Sequence, residues 1–598
     1  MLILQAIDFE FKRSEHRQNE RNQLLDQQSA DIVQIREQDP SRVLKTQEKH
    51  RQAIEKLDTK TAKLQKKQEK IFFVGFYVLL NLAEDISVER KMVKKGLIEN
   101  LLLAAERSSA DLLVLAVTFL KKLSVFEENK NIFKAKNILY LLARFIPCSS
   151  QPLMNITLRL MFNLSFDVEI RDHAIQLGMI PKLVSLLKVP AFRGRALKLL
   201  YHLSVEDRCK SMFTYTDGMP LLMGMIVNFP QNNLAKELAG LAVNLSLNAR
   251  NAEIMASNRG LNHLIDRMMT TKDPLLMKII RNISQWSFQT QQALENPDLQ
   301  YKHRGLWSPH IKNICRLAVD ADNHDLLVEI LGTLANLTSL DIPVNHGWGK
   351  LLGDYNLLSL ISKLLVPGMA QNDVLLEVIM LISAAASDNA TCSLLASSNI
   401  IGLLYQVWKD KSSDVEILLQ LIFCFYKFFQ QESSQDEAMY GTRVVVDIMD
   451  CLSHKNGAVR DMADTVVEMV LEVDRQDHGG LGQLGEQIRK KRFESYNQQW
   501  VVEIRAEDHH GSAAKPYYDH GIHGDDVDDE EAYVIRGQHS HDYYQEDDDG
   551  IDVTRMLADE KDEDLQWNNM MEQRKMMGHM YDTGSPDSGE YDMGAGYH

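Results

Sequence analysis

Paired cysteines are the first thing missing. The six cysteines, at 148, 209, 315, 392, 424 and 451, are never closer than 27 positions and form no CxxC. That spacing excludes zinc ribbons, thioredoxin chemistry and a disulfide framework, and it fits a reducing compartment. Proline and glycine are scarce, at 14 and 31 in 598 residues, which excludes a collagen-like or wholly low-complexity chain. Long hydrophobic runs are absent too. The longest, Ile71 to Ala83, is broken by Asn81 and falls short of the roughly 20 residues a bilayer span needs. The start, MLILQAIDFEF, meets Asp8 early and has no small-residue cleavage site, so it does not read as a signal peptide. The expectation is a soluble intracellular chain with no direct membrane insertion.

Catalytic motifs are missing as well. There is no GxxxxGK[ST] loop to cradle nucleotide phosphates, no HExxH zinc helix, no GxSxG elbow and no kinase signature set. The tail histidines (His509, His510, His520, His523, His539 and His541) lie among carboxylates but without a cysteine, and read as a solvated tract rather than a structural metal site. The expectation is a chain that is not an enzyme and has no cofactor or metal.

Charge is segregated. The chain carries −17 overall, but residues 506–598 hold 25 acidic and 6 basic residues, a net −19, which leaves +2 for the rest. Acidity therefore belongs to the end of the chain, and no nucleic-acid partner is expected. From 506 onward, charge runs, glycine and isolated tyrosines replace any helical stripe, as in a disordered acidic tail, with a short helix expected at 553–566.

What the chain does have is a repeat. The phrase LLNLAED (79–85) returns as LKKLSVF, MFNLSFD, LYHLSVE, AVNLSLN, IRNISQW and LANLTSL. Its central apolar residue gives the anchors Leu82, Leu123, Leu164, Leu203, Leu245, Ile283 and Leu337, with weaker copies near Ala385, Phe428 and Val470. The steps of 38–54 residues cluster at the armadillo and HEAT period. After each anchor a short polar stretch leads to a helix, a glycine (Gly96, Gly178, Gly218, Gly260) and an apolar helix, as in NLSFDVEIRDHAIQLGMIPKLVSLL. Gly178 can take the left-handed conformation that ends a helix, and Pro181 suits the first turn of the next. No unit can bury its apolar stripe alone, so neighbours must stack. The fold expected is all-α: an armadillo-repeat superhelical solenoid over 71–475, a post-repeat helical segment at 476–505 and the tail at 506–598.

Residues 1–70 are rich in Gln, Lys, Arg and Glu, and Pro40 divides them into two helices. Val43, Leu57, Leu64 and Ile71 keep a seven-residue spacing, but His50, Thr61 and Gln68 interrupt it. A solvated helix pair and a one-sided coiled coil both fit. The apolar stretch from Leu2 to Phe11 reads as the end of a repeat helix, as if earlier repeats were missing.

Inside the phrase an asparagine recurs one residue before the anchor: Asn81, Asn163, Asn244, Asn282 and Asn336, with Lys122 and His202 filling the gaps. Asparagine is a mediocre interior helix residue. Either these amides line a groove for an extended ligand or they hold neighbouring repeats together; buried amides must be satisfied in both cases. One turn earlier stand Tyr77, Thr118, Arg159, Lys198, Gly240, Lys278 and Gly332. Importin-alpha proteins carry tryptophan at that place and grip basic signals with it. This chain has none there, and Arg159, Lys198 and Lys278 would favour acidic or mixed-charge partners. The candidate groove thus comprises Asn81, Lys122, Arg159, Asn163, Lys198, His202, Asn244, Lys278, Asn282 and Asn336.

The wording of the repeats resembles the kinesin-associated proteins, the non-motor accessory subunits of heterotrimeric kinesin-II. FLKKLSVFEENKN (119–131), NITLRLMFNLSFD (155–167), DPLLMKIIRNISQ (273–285) and the post-repeat RFESYNQQWVVEI (492–504) carry the resemblance, which covers roughly 1–505. It implies a scaffold that binds the tails of two kinesin heavy chains and links them to cargo. Its setting would be the cytoplasm, cytoskeleton and cilium, in microtubule-based movement, intraflagellar transport and cilium assembly. An importin- or catenin-like adaptor for extended peptides is the alternative. The sequence departs from the family by starting inside a repeat helix, and an insertion around DIPVNHGWGKLLGDY is expected to account for the 54-residue step.

Overall fold

The computed structural model describes residues 2–38, 43–286, 306–338, 347–478 and 482–510. All but the last few belong to one unit spanning 1–506. The described residues are helical and contain no strand. The acidic tail and its short helix at 553–566 lie outside the described residues. None of the described helices is by itself long and apolar enough to cross a membrane.

Ten helices form an inner row: α2 (Val43–Leu82), α3 (Ala110–Leu123), α4 (Gln151–Leu164), α5 (Pro190–Leu203), α6 (Lys236–Ser246), α7 (Pro274–Trp286), α8 (His324–Thr338), α9 (Asn372–Ala385), α10 (Val415–Phe429) and α11 (Gly457–His478). Each packs on the next in sequence, as stacked repeats require. Every repeat anchor is the end of one of these helices or lies within its last turns. α4 shows why they form: Leu153, Met154, Leu158, Leu160, Met161 and Leu164 are buried at helical spacing, and Ser150 caps its start. Two shorter helices precede each inner helix from α3 to α7 and from α9 to α11, so these units have the three helices of an armadillo repeat. In the third copy they are Val168–Gln176 and Met179–Leu186, ahead of α5.

Polar residues punctuate the units. Asp85, Asp167, Asn248 and Asp388, each three residues past an anchor, accept hydrogen bonds from backbone N–H groups of the next helix. Gly96 and Gly178 take the left-handed conformation, with φ of 84° and 69°. Asn137, Asn356 and Asn399 do the same in other copies. Gly218 and Gly260 do not. They open the following helix with ordinary φ, and Gly260 is needed because a Cβ there would meet the Met255 carbonyl oxygen.

The amino-terminal segment is a helical hairpin, α1 (Leu2–Gln38) against α2. Leu4, Ile7 and Phe11 are buried, and Phe11 stacks on Phe72 with ring centroids 4.2 Å apart. Farther out the seam is polar: Arg21 pairs with Asp58 at 2.8 Å and His50 meets Asp31 at 2.9 Å. The boundary expected at 70/71 falls inside α2, which continues unbroken into the first inner position. The 54-residue step runs from Ile283 to Leu337, so its extra length precedes DIPVNHGWGKLLGDY, which instead follows α8 and lengthens the next step. At the other end α12 (Gln483–His510) is tied to α11 by Arg492, which donates to Asp464 at 2.8 Å, and Ile488 and Ser495 are buried.

Candidate functional site: the inner helical row

The recurrent asparagines lie near the carboxy-terminal ends of the inner helices, and their side-chain amides reach back to the preceding helix. Asn163 donates to Ser124 Oγ at 3.0 Å, Asn244 to Ser204 Oγ at 2.9 Å, Asn282 to Ser246 Oγ at 2.9 Å and Asn336 to Ser284 Oγ at 3.0 Å. Each serine is the residue after an anchor, and its own hydroxyl donates to the carbonyl three residues back, at 2.6–2.7 Å. Helix ends leave carbonyls without intrahelical partners. The serine satisfies one of them, and the next repeat's asparagine saturates the serine. A device of neutral hydrogen bonds therefore ties successive repeats in register. Asn81, on the first inner helix, is exposed. Lys122 stands opposite Ala83, which offers no hydroxyl.

His202 replaces asparagine in α5 and keeps the bond, its Nδ1 lying 2.8 Å from Ser165 Oγ. The Ser165 hydroxyl donates to the Phe162 carbonyl at 2.7 Å, so the imidazole supplies the proton. The ring packs against Phe162, Phe166 and Tyr201. Arg171, paired with Glu206 at 2.8 Å, also donates to the Ser165 carbonyl. Burial first, and then the Arg171 cation, push the His202 imidazole down to about 4 from its ordinary 6.5. In the unfolded chain it protonates near 6.5; in the fold it stays neutral until about 4. The stability it contributes is therefore complete above pH 6.5 and is lost as pH falls toward 4. His202→Asn keeps the donor and removes the titration. Melting temperatures of the two proteins should be close at pH 7.5, with the variant the more stable at pH 5; parallel curves across that range would refute the assignment.

The positions one turn earlier are occupied differently from a peptide-gripping groove. Lys198 is 3.6 Å from Glu237 and Lys278 is 3.4 Å from Glu329. Both acids sit seven residues before the asparagine position of the next helix, so this too is a cross-repeat pairing. Cations expected to await an acidic partner are thus engaged within the solenoid. Gly240 and Gly332 do not leave pockets. A Cβ at 240 would lie 2.7 Å from the Tyr201 ring, and one at 332 would lie 2.3 Å from the Arg281 guanidinium carbon. A side chain at either position would have to displace the Tyr201 ring or the Arg281 guanidinium.

Arg281 is the functional-looking residue that the sequence reading missed. It runs over Gly332 and pairs with Glu329 at 3.4 Å and also with Glu377. One side chain of α7 thereby reaches both α8 and α9. Burial alone would lower the Arg281 guanidinium; Glu377 and Glu329 outweigh it and hold it above its ordinary value. Burial also pushes the Glu377 carboxyl up, more than Arg281 pulls it down. The sequence signal was a lone glutamate inside each of two apolar helices, VEILGTL and LLEVIML, at the same place in successive repeats. Among the described residues no group of three or more His, Cys, Asp or Glu is placed to hold a metal.

Among solved structures the chain has distant matches. An engineered protein of known crystal structure matches 68% of this chain and 95% of its own, at 15% identity and a TM-score of 0.52. A structure concerned with a phosphorylation switch in the cadherin–β-catenin interaction matches at 16% identity over 67% of this chain and 83% of that one, with a TM-score of 0.48. A designed armadillo repeat protein in complex with the peptide (KR)4 matches 42% of this chain and 98% of its own, at 16% identity and a TM-score of 0.33. At such identities the first match bears on the fold alone, and the two with TM-scores under 0.5 carry no argument. The family model described as Kinesin-associated protein (KAP) matches residues 1–542. The chain therefore belongs to the kinesin-associated protein family, an adaptor family built on the armadillo-repeat solenoid.

Proposed function

We propose that this chain is the non-motor accessory subunit of a heterotrimeric kinesin-II, binding the tails of two kinesin heavy chains and linking them to cargo. The observation that carries the reading is the family match over nearly the whole chain, 1–542. The solenoid supplies the extended surface such a linker needs. Within it we propose the inner row as the partner-facing surface, with Asn81, Lys122 and Arg159 at its amino-terminal end and Lys198, His202, Asn244, Lys278, Asn282 and Asn336 beyond, Asn163 and its equivalents also holding the stack. The setting proposed is cytoplasmic and cytoskeletal, including the cilium, in intraflagellar transport. An importin-like reading is disfavoured by Gly240 and Gly332, whose space Tyr201 and Arg281 fill.

The test is reconstitution. The purified chain, mixed with tail segments of the two heavy chains, should elute as one complex containing a single copy of each. Failure to bind the tails, together with capture of karyopherins or cadherin tails, would replace this reading with the importin- or catenin-like one.

A further inference from the structure

The helix α12 docks on the solenoid by one face and leaves an apolar face outside. On the inner face Ile488 and Ser495 are buried, Arg492 grips Asp464 at 2.8 Å, and Ser495 donates to the Leu452 carbonyl at 2.8 Å. Gln499 also reaches that carbonyl, at 3.4 Å. On the opposite side Phe493, Trp500 and Ile504 form a stripe beside Val501, while Tyr496 stands at its edge with its hydroxyl donating to Asp464 at 2.8 Å and accepting from Arg492 at 3.0 Å. Phe493 is 68% exposed and Trp500 53%. Scattered exposed apolar residues are ordinary, but four on one face of one helix, two of them large aromatics, are not.

Spacing and charge indicate what covers them. Steps of 7 and 4 from 493 through 500 to 504 run along the helix for about three turns, the footprint of a second helix rather than of an extended strand. The stripe begins beside Arg489 and Lys490, both exposed, which favours acidic residues on the occupant. A membrane surface fits less well, because α12 carries five acidic and five basic residues and so has no net attraction to anionic lipid. We propose that α12 docks an amphipathic helix with an apolar stripe and acidic flanks, contributed by a motor-subunit tail. This rests on the kinesin-II reading above.

The test uses the full chain and purified tail segments of the two heavy chains. Phe493→Asp with Trp500→Asp should weaken tail binding at least ~30-fold, as expected for loss of two aromatic anchors. The melting temperature should be unchanged, because neither side chain is part of the buried face. Arg489→Glu with Lys490→Glu should weaken binding at low salt and less at high salt. Undiminished affinity of the aspartate variant would overturn the α12 site while leaving the kinesin-II reading intact. A wild-type chain that binds no tail would overturn that reading, and this site with it. Self-association that the aspartate pair abolishes would put a second copy on the stripe, and binding of wild type to phosphatidylserine vesicles in place of tails would put lipid there; either overturns the proposal.

Discussion

Arg281→Ala should lower the unfolding free energy by about 3–5 kcal/mol, the scale expected when one member of a buried ionic cluster is removed and its partners stay behind. Glu377 and Glu329 are both largely buried; without the guanidinium Glu377 loses its ion-pair partner, while Glu329 keeps Lys278. The variant should regain stability as pH falls from 7 toward 5. The sign follows from the direction of the Glu377 shift: a carboxyl whose folded value is raised favours the fold below its unfolded value and penalises it as pH rises through the folded one. Removing Arg281 deepens that penalty. Arg281→Met with Glu329→Gln and Glu377→Gln should recover much of the loss, because the uncompensated charges are gone. Urea titrations at pH 7 and pH 5 measure each step, and a variant as stable as wild type at pH 7 would remove the cluster from any account of the fold.

Replacing Asn163, Asn244 and Asn282 together by alanine should destabilise the solenoid by about 2–4 kcal/mol, from three lost hydrogen bonds of roughly 0.5–1.5 kcal/mol each. Each alanine leaves a serine hydroxyl without its cross-repeat donor. The pairing can be isolated with Ser124→Ala, Ser204→Ala and Ser246→Ala: in a double-mutant cycle the asparagine and serine changes should be strongly sub-additive. Additive losses would mean that the amides act elsewhere. Tail binding measured on the same proteins separates the two roles, since a groove contact would weaken affinity beyond what the folded fraction explains.

Much of this architecture was legible because repetition averages out local ambiguity. An isolated LSFD says little; seven such phrases at related spacing mark seven helix ends, and α3, α4 and α5 stop on the anchors Leu123, Leu164 and Leu203 themselves. Gly178 takes the left-handed turn expected of it, and so does Gly96, but Gly218 and Gly260, at the same place in their copies, do not. Glycine signals either a positive φ or a close approach, and sequence alone does not say which. The same limit hid Asn137, Asn356 and Asn399, since asparagine tolerates the left-handed region without advertising it. The inner-row asparagines were found by periodicity, yet periodicity could not say whether their amides faced a ligand or the next repeat. That depended on Ser124 and its equivalents standing within 3.0 Å. Arg281 was missed because its partners lie 48 and 96 residues away, across a space that exists only because residue 332 has no side chain.

A solenoid whose units touch only their neighbours behaves as a spring, each joint yielding a little under tension. Arg281 breaks that rule by gripping α9 as well as α8, so the joints between α7 and α9 share one clamp. When force is applied across the protein, extension should concentrate on either side of this stretch. The clamped segment would then act as a stiff splint between two compliant arms, and partners seated on the arms would feel strain that partners seated on the splint do not.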